Sequence, residues 1–508
     1  MSRAKILGLM AVGIILVGGL FTVNTLKRNL STPVVATATV DLKDGDAYTL
    51  TTSKVTKVIG GKTYSMLAYN GSIPGPVLRI PQGARVTITL KNDMNVPTAL
   101  HSHGVRMENQ YDGAPPLTQA EIAPGESFTY KLIFPDAGVY WYHPHVQEGY
   151  TQELGLYGTF IVMPQDAGYF PPVNREVSLF LDDILIENGK IPFAKDGVDH
   201  ALMGRFGTVM LTNGEEQYTL TAQTGEVVRL YVTNAANARP FNFSIEGLKL
   251  KLVGGDNGAY EQATWQDGVV LGPSERAIVD VLFPRAGTYK LLNKTPNNTY
   301  ELGTVTVSDE QATSSYAKEF NTLQSNPDTT ASIARFQKYF SAAPDKMISL
   351  TVDMGGMNHG GHGMSGAVSQ SGIEWEDTGG MGEMGDLARW HIVDVTGNPS
   401  SAKATAGKQD MDIDWVFEKD KPVKIEIYND PNSMHPMQHP IHFHGQRFLV
   451  VTRDGVRQTN LVWKDTVLIK SGERVEIILD PSNPGEWMAH CHIAEHLEAG
   501  MMMQFRVE

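Results

Sequence analysis

Three stretches alternate apolar and polar residues with a period of two: ARVTITL at 84–90, GEVVRLYVT at 225–233 and GERVEIIL at 472–479. That period sets one face of a strand against a core and the other toward solvent. Each stretch begins at a glycine turn, ends near Asn or Asp, and is followed by aromatic segments containing His or Pro. The recurrence predicts one β-sandwich unit used three times, over about 41–165, 166–308 and 344–508. Long helical periodicity is absent from this region, so the expected class is all-β and not α/β. Residues 309–343 are polar and read as a connector with a short helix near 332–340. A chain of 508 residues suits three domains at roughly 150 residues each.

The N-terminus breaks the pattern. Residues 6–23 form an apolar run behind Arg3 and Lys5, which predicts a hydrophobic helix within a leader covering 1–40. Two readings stand: an uncleaved membrane anchor or an export signal. Lys27 and Arg28 follow at once, which is unusual for a cleavage region, but a small-x-small triplet lies at 36–38. Both readings place the folded body outside the cytoplasmic membrane, in the periplasm or at the cell surface.

Composition narrows the partners. Acidic residues outnumber basic ones 56 to 42, a formal charge of −14, so a phosphate backbone is repelled and nucleic acid is excluded as a partner. Cys491 is the single cysteine, which rules out a disulfide within the chain.

Histidine carries the chemistry. Composition alone predicts roughly 0.4 His-x-His pairs, yet four occur: His101/His103, His143/His145, His442/His444 and His490/His492. In a strand, residues i and i+2 share a face, so each pair can aim two imidazoles at one point. Eight nitrogens are too many for one ion and suit a cluster of three coppers. Two pairs lie in the first domain and two in the third, so the cluster is expected at a domain interface. Cys491 sits between His490 and His492, and alternation turns its sulfur to the opposite face. With His439, His496 and Met501 it makes a His₂Cys set with a weak axial thioether, the signature of a blue electron-transfer copper. Electrons from that centre can then reach the cluster through a few covalent bonds.

At this point a resemblance is close. HSHG at 101–104, WYHPH at 141–145, HPIHFH at 439–444 and HCHIAEHLEAGM at 490–501 resemble the four copper motifs of three-domain multicopper oxidases, the laccase-like group. NGSIPGPVLR at 70–79 is similar to that family's first-domain signature, and LTNG at 211–214 to its second domain. The resemblance implies three cupredoxin-like Greek-key β-barrels and four coppers: one type 1, one type 2 and two type 3. It implies that His101 and His442 bind the type 2 ion. His103, His143 and His492 would bind one type 3 ion, and His145, His444 and His490 the other. His439, Cys491, His496 and Met501 would form the type 1 site. Dioxygen would be the acceptor.

Reducing dioxygen to water consumes protons, so carboxylates are expected near the cluster. Asp112 matches the family's acidic position after HSHG, and it is also a natural turn residue before Gly113. Many bacterial members have Glu directly after the last type 1 histidine; this chain has Leu497, and Glu498 is taken as the substitute.

The electron donor is a phenol, an aromatic amine or Cu(I). Met354, Met357, His359, His362, Met364, Met381 and Met384 lie in a Gly-rich insert at 354–384, and soft thioethers bind Cu(I) well. Here the resemblance is to cuprous oxidases. Met437 matches a substrate methionine of those enzymes, and His435 stands where they have an aspartate. The other reading of the insert is a Gly/Met loop without a ligand. His200 and His391 are taken as structural. Two further readings of the chain are a copper-sequestering protein with incidental turnover and a copper nitrite reductase. Storage needs no blue centre, and a nitrite reductase needs only a His₃ catalytic site.

Overall fold

The computed structural model describes residues 32–193, 200–354, 371–377, 388–396 and 410–508. The apolar run 6–23 lies outside them. Among the described residues no helix is long and apolar enough to cross a membrane.

Six sheets form three successive pairs, each with one six-stranded and one five-stranded sheet. The all-β expectation therefore holds. The first pair runs from the strand Thr32–Pro33 to Gly158–Met163, the second from Arg175–Ile184 to Thr299–Gln311, and the third from Lys346–Met354 to Met502–Val507. In each pair the inward residues of both sheets share a core: Ile88 and Leu90 with Leu78 and Phe160, Leu230 and Val279 with Phe243 and Val305, Ile427 and Ile477 with Ile441 and Phe505. The first sheet begins inside the stretch assigned to the leader. Thr32 and Pro33 pair with Val55 and Thr56, and Thr37 donates to the Pro74 carbonyl at 2.7 Å. A chain cut at 36–38 would lose the Thr32–Pro33 pairing.

The alternating stretches are all strands, but not three copies of one strand. Arg85–Asn92 lies parallel to Ala47–Ile59 and antiparallel to Ser127–Ile133. Val227–Asn234 holds the same place in the second domain. In the third domain that place belongs to Val423–Asn429, and the predicted strand, Arg474–Asp480, is its antiparallel neighbour. Both carry alternating patterns, so periodicity cannot rank them. Arg85–Asn92 alternates buried and less buried residues, whereas every residue of Val227–Asn234 is buried. The reason is a neighbour. Tyr231 packs with Val77, Val139 and Ile161 of the first domain, so the outer face of this sheet is covered too.

The connector is more ordered than its composition suggests. Its main helix is Pro327–Ala334, starting ahead of the expected 332–340, because Asn326 caps the Thr329 N–H at 2.8 Å and proline occupies the first helical position. Ile333, Phe336 and Phe340 then bury against Leu449, Leu461 and Trp463.

The first two domains meet at a pair that yields a pH prediction. Tyr157 donates to Asp182 at 2.6 Å, and burial, with Asp183 alongside, pushes the Asp182 carboxyl up to about 7 despite that bond. A carboxyl raised in the folded state contributes stability below its unfolded value, near 4, and that contribution is lost as pH rises through the folded value. Asp182→Asn is expected to flatten the fall in thermal stability across that window and to stabilise the alkaline side by about 1–3 kcal/mol. Melting curves at a series of pH values check this; an unchanged pH slope would count against it.

Candidate metal centres

Four strand ends bring the paired histidines together. In the first domain His101 and His143 are direct partners across neighbouring strands, and in the third His442 and His490 are. The two five-stranded sheets face each other. His101 stacks on His444 with centroids 3.9 Å apart, and His103 on His442 at 3.8 Å. Nitrogen atoms then converge in groups: His101, His103 and His442; His103, His143 and His492; His145, His444 and His490. The Nε2 atoms of His103 and His143 lie 3.0 Å apart, and His492 Nε2 is 3.1 Å from His103 and 3.4 Å from His143. His444 and His490 approach at 3.0 Å, and His101 and His442 at 3.4 Å.

The opposite ring edge decides what those contacts are. His101 Nδ1 donates to the Asp112 carbonyl, His442 Nδ1 to the Asp465 carbonyl and His490 Nδ1 to the Cys491 carbonyl, each at 2.8 Å. His444 Nδ1 donates to the Asp112 carboxylate, also at 2.8 Å. Burial, and then mutual repulsion, holds His103, His143, His444, His490 and His492 well below the usual imidazole value, and burial pushes His145 down to about 3. The acceptors fix an N–H on Nδ1 in all four of these rings, and a neutral imidazole has no second one; burial lowers His442 too, so His442, His444 and His490 turn a bare Nε2 to the centre. Bare lone pairs therefore face each other between His444 and His490. No hydrogen bond can join them; a cation can. The donor set fits copper, whose sites favour imidazole.

A second group lies across the strand. His439 Nδ1 and His496 Nδ1 are 3.6 and 3.7 Å from the Cys491 sulfur and 3.2 Å from each other. All three residues are buried, as is Met501. The Cys491 N–H donates to the Met501 carbonyl at 3.0 Å, and the Met501 N–H to the His496 carbonyl at 2.9 Å, which closes the ligand loop on itself. Burial pushes the Cys491 thiol up. A thiolate at this depth needs a metal to compensate its charge. Trp390 stacks on His496 at 4.2 Å and meets His439 edge-on at 4.6 Å. His496 Nε2 donates to the Leu202 carbonyl of the second domain at 3.3 Å.

Asp112 is fully buried beneath His101 and His444. It is also a turn residue, so the two readings of it are compatible. Gly113 has φ +77° and passes so close to the Leu100 carbonyl that no side chain fits. Glu498 is exposed; its carboxylate accepts from the Gly149 N–H at 3.0 Å. Between it and the histidines stands Glu148, a buried carboxyl 3.2 Å from His145 Nδ1. Burial, with repulsion from Glu498 and Glu495, holds the Glu148 carboxyl well above its usual value.

Met357, His359, His362, Met364, Met381 and Met384 lie outside the described residues, and of Met354 only the backbone, at the end of its strand, is described. His435 and Met437 lie on the loop leading into His439. His435 is half-buried, with no partner on its Nε2. Met437 is fully buried in the third-domain core, which closes its thioether to an ion arriving from solvent. His391 pairs with Asp410 at 2.7 Å, away from both centres. Sequence reasoning did not single out Asp465, Glu148, Trp390 or Arg276. Only Glu148 had a local signal, three residues beyond His145.

Three family models described as multicopper oxidase match residues 50–167, 180–315 and 389–508. The chain is 26% identical to the multicopper oxidase MmcO of Mycobacterium tuberculosis, over 89% of this chain and 85% of that protein. It is 26% identical to laccase-1 of Botryotinia fuckeliana, over 90% and 81%. Among solved structures it is similar to a multicopper oxidase from Campylobacter jejuni described as a metallo-oxidase, with TM-score 0.68, 25% identity and coverage of 95% and 96%.

Proposed function

We propose, from the premise that this chain belongs to the multicopper oxidase family, that its two buried centres hold four coppers and that Cu(I) is among its electron donors. Family membership makes it a copper-dependent oxidoreductase with dioxygen as acceptor. We assign one type 1 ion to His439, Cys491, His496 and Met501. The type 2 ion goes to His101 and His442, and the type 3 pair to His103, His143 and His492 and to His145, His444 and His490. Bound there, the ions supply one-electron oxidation of a donor and four-electron reduction of dioxygen to two waters. The observation that carries this assignment is the convergence of Nε2 atoms on rings whose Nδ1 donates to an acceptor on the far side.

The protein groups have distinct tasks in this reading. The backbone from Cys491 to His490 and His492 is the short covalent path between centres. Asp112 orients His444 and accepts its Nδ1 proton in a hydrogen bond. Glu148, 3.2 Å from His145 Nδ1, holds a proton beside that ring; Glu498, at the surface, exchanges protons with solvent. Trp390 and Leu202 cover the type 1 imidazoles, which favours a small donor over direct contact by a bulky phenol. His435, the half-buried side chain on the same loop as His439, is the docking ligand we favour for Cu(I). We place the enzyme outside the cytoplasmic membrane, exported or anchored by residues 6–23, on the strength of that apolar run.

Copper-loaded protein is expected to contain four coppers per chain and to consume oxygen with Cu(I) and with a phenol. An intense blue colour without oxygen uptake on any donor would sink the reading in favour of sequestration.

The role of the insert needs a careful variant. Residues 371–377 form a strap between domains: the Trp375 carbonyl accepts from Arg239, Glu376 from Asn298, and Glu374 exchanges two hydrogen bonds with Gln438, next to His439. Deleting 354–384 whole would remove that strap. Replacing only Met357, His359, His362, Met364, Met381 and Met384 by Ser is expected to lower kcat/KM for Cu(I) about tenfold, ~1.4 kcal/mol, with phenol oxidation unchanged. Equal loss for both donors, or for neither, would reject the insert as a copper relay.

A further inference from the structure

Among the described residues the second domain contributes no ligand to either centre, yet it sends Arg276 to the back of the cluster. Arg276 begins the strand Arg276–Leu282 and is fully buried. Its guanidinium reaches all three domains. In the third, Nη1 donates to Asp465 Oδ1 at 2.7 Å, and Nη2 donates to Oδ2. In the first, Nε donates to the Val139 carbonyl at 3.2 Å, on the strand that ends at His143. In its own domain Nη1 donates to the Ser274 carbonyl at 3.0 Å, and the Arg276 N–H to Asp256 at 2.9 Å. Lys464 braces the far side, 3.1 Å from Asp256 and 3.2 Å from Glu275.

Asp465, so held, touches two rings of the cluster, one through its carboxylate and one through its backbone carbonyl. Asp465 Oδ1 is 3.3 Å from His103 Nδ1, and the Asp465 carbonyl takes the Nδ1 proton of His442. Thr466 Oγ1 donates to the same Oδ1 at 2.8 Å. A second, independent feature shows how tightly this group is set. Gly104, the glycine of HSHG, has φ +67°, and a Cβ there would sit 2.5 Å from Asn257 Oδ1 and 2.7 Å from Asp465 Oδ2. The loop that carries His101 and His103 thus leaves room for the clamp and for nothing else.

We infer that Arg276 is a positioning residue for the trinuclear cluster, holding Asp465 so that His103 and His442 present Nε2 to the metal ions. It acts through Asp465 and touches no reacting atom. A planar, five-donor guanidinium can serve a carboxylate and two carbonyls of different domains at once; an ammonium at that site cannot. The second domain is therefore part of the copper chemistry, although it supplies no ligand. The inference rests on the ligand assignment proposed above.

The test is Arg276→Lys, with wild-type holoprotein alongside. Readouts are copper per chain, blue absorption, the type 2 electron-paramagnetic-resonance signal and oxygen uptake. Lysine keeps the charge and loses the fork. Blue absorption per chain is expected to stay at the wild-type level. Copper is expected to fall from four toward three, with a lost or altered type 2 signal and uptake lowered about 10–100-fold, as for other groups behind metal ligands. Asp465→Asn and Gly104→Ala approach the clamp from its other two sides and should give the same selective loss. Four coppers and a wild-type type 2 signal in these variants would overturn the inference. So would parallel loss of blue and type 2 copper in all three, because Arg276 would then hold the fold and not the cluster. Wild-type copper content and colour test the oxidase reading itself, so the two failures are told apart.

Discussion

Cys491→Ser protein is expected to be colourless and to consume no oxygen with phenol, aromatic amine or Cu(I), a loss of at least about 1,000-fold, or ~4 kcal/mol of barrier. Cys491 is the chain's single sulfhydryl, it is fully buried, and both nitrogens of the type 1 set converge on its sulfur. A serine hydroxyl fills nearly the same volume but is a hard donor with no thiolate character. The fold should survive, because the neighbouring backbone bonds of Cys491 to Met501 and of His492 to Pro440 do not involve the side chain. The remaining three coppers should stay bound, since His490 and His492 point to the other face. Copper analysis and visible absorption read this directly. Retained turnover with any donor would defeat the electron route through residue 491.

Asp112→Asn is the second large effect. The blue colour should persist, while oxygen uptake falls about 10–100-fold, the range for groups that orient metal ligands. Asp112 serves two stacked histidines from different domains: its carboxylate accepts from His444 Nδ1 and its carbonyl from His101 Nδ1. The carbonyl survives substitution, so His101 should be undisturbed and His444 affected. An amide can turn its NH₂ toward His444 and drive the proton to Nε2, which removes a ligand. Burial alone would raise the Asp112 carboxyl, but His444 and His101 hold it well below the usual carboxylate range. It therefore stays ionised at working pH, and the acid limb of the pH profile should not move with its loss of charge. Type 2 and type 3 spectra, with the blue band as internal control, check the result. Equal damage to both centres would reject a local role.

The residues of both centres were legible because the motifs are short and strands have a fixed period. Alternation pointed to His101, His143, His442 and His490 at the strand ends, while His103, His145, His444 and His492 lie just past those ends, where the chain turns and the pattern gave only their nearness. Cys491 needed the same rule to face away. Other features were not legible for equally definite reasons. The strand predicted at 472–479 could not be told from its neighbour by alternation alone. The second-domain strand looked half-exposed because nothing local says that the first domain covers it. Asp465 is a carboxylate in WKDTV, and Arg276 a basic residue in SERAIVD; neither has a spacing to any histidine.

Periodicity and composition by themselves settled the all-β class, the number of repeating units and which side chains can point together. Those are properties of the backbone within a few residues, where geometry is set by dihedral angles. Packing of the domains against one another alone decided that His444 Nδ1 donates to Asp112, that Glu498 lies behind Glu148, that Leu202 covers the sulfur-containing centre, and that the second domain braces the cluster. Hydrogen bonds and burial act over a few ångströms of space, and the groups that meet across the domains come from 137 to 362 positions apart along the chain.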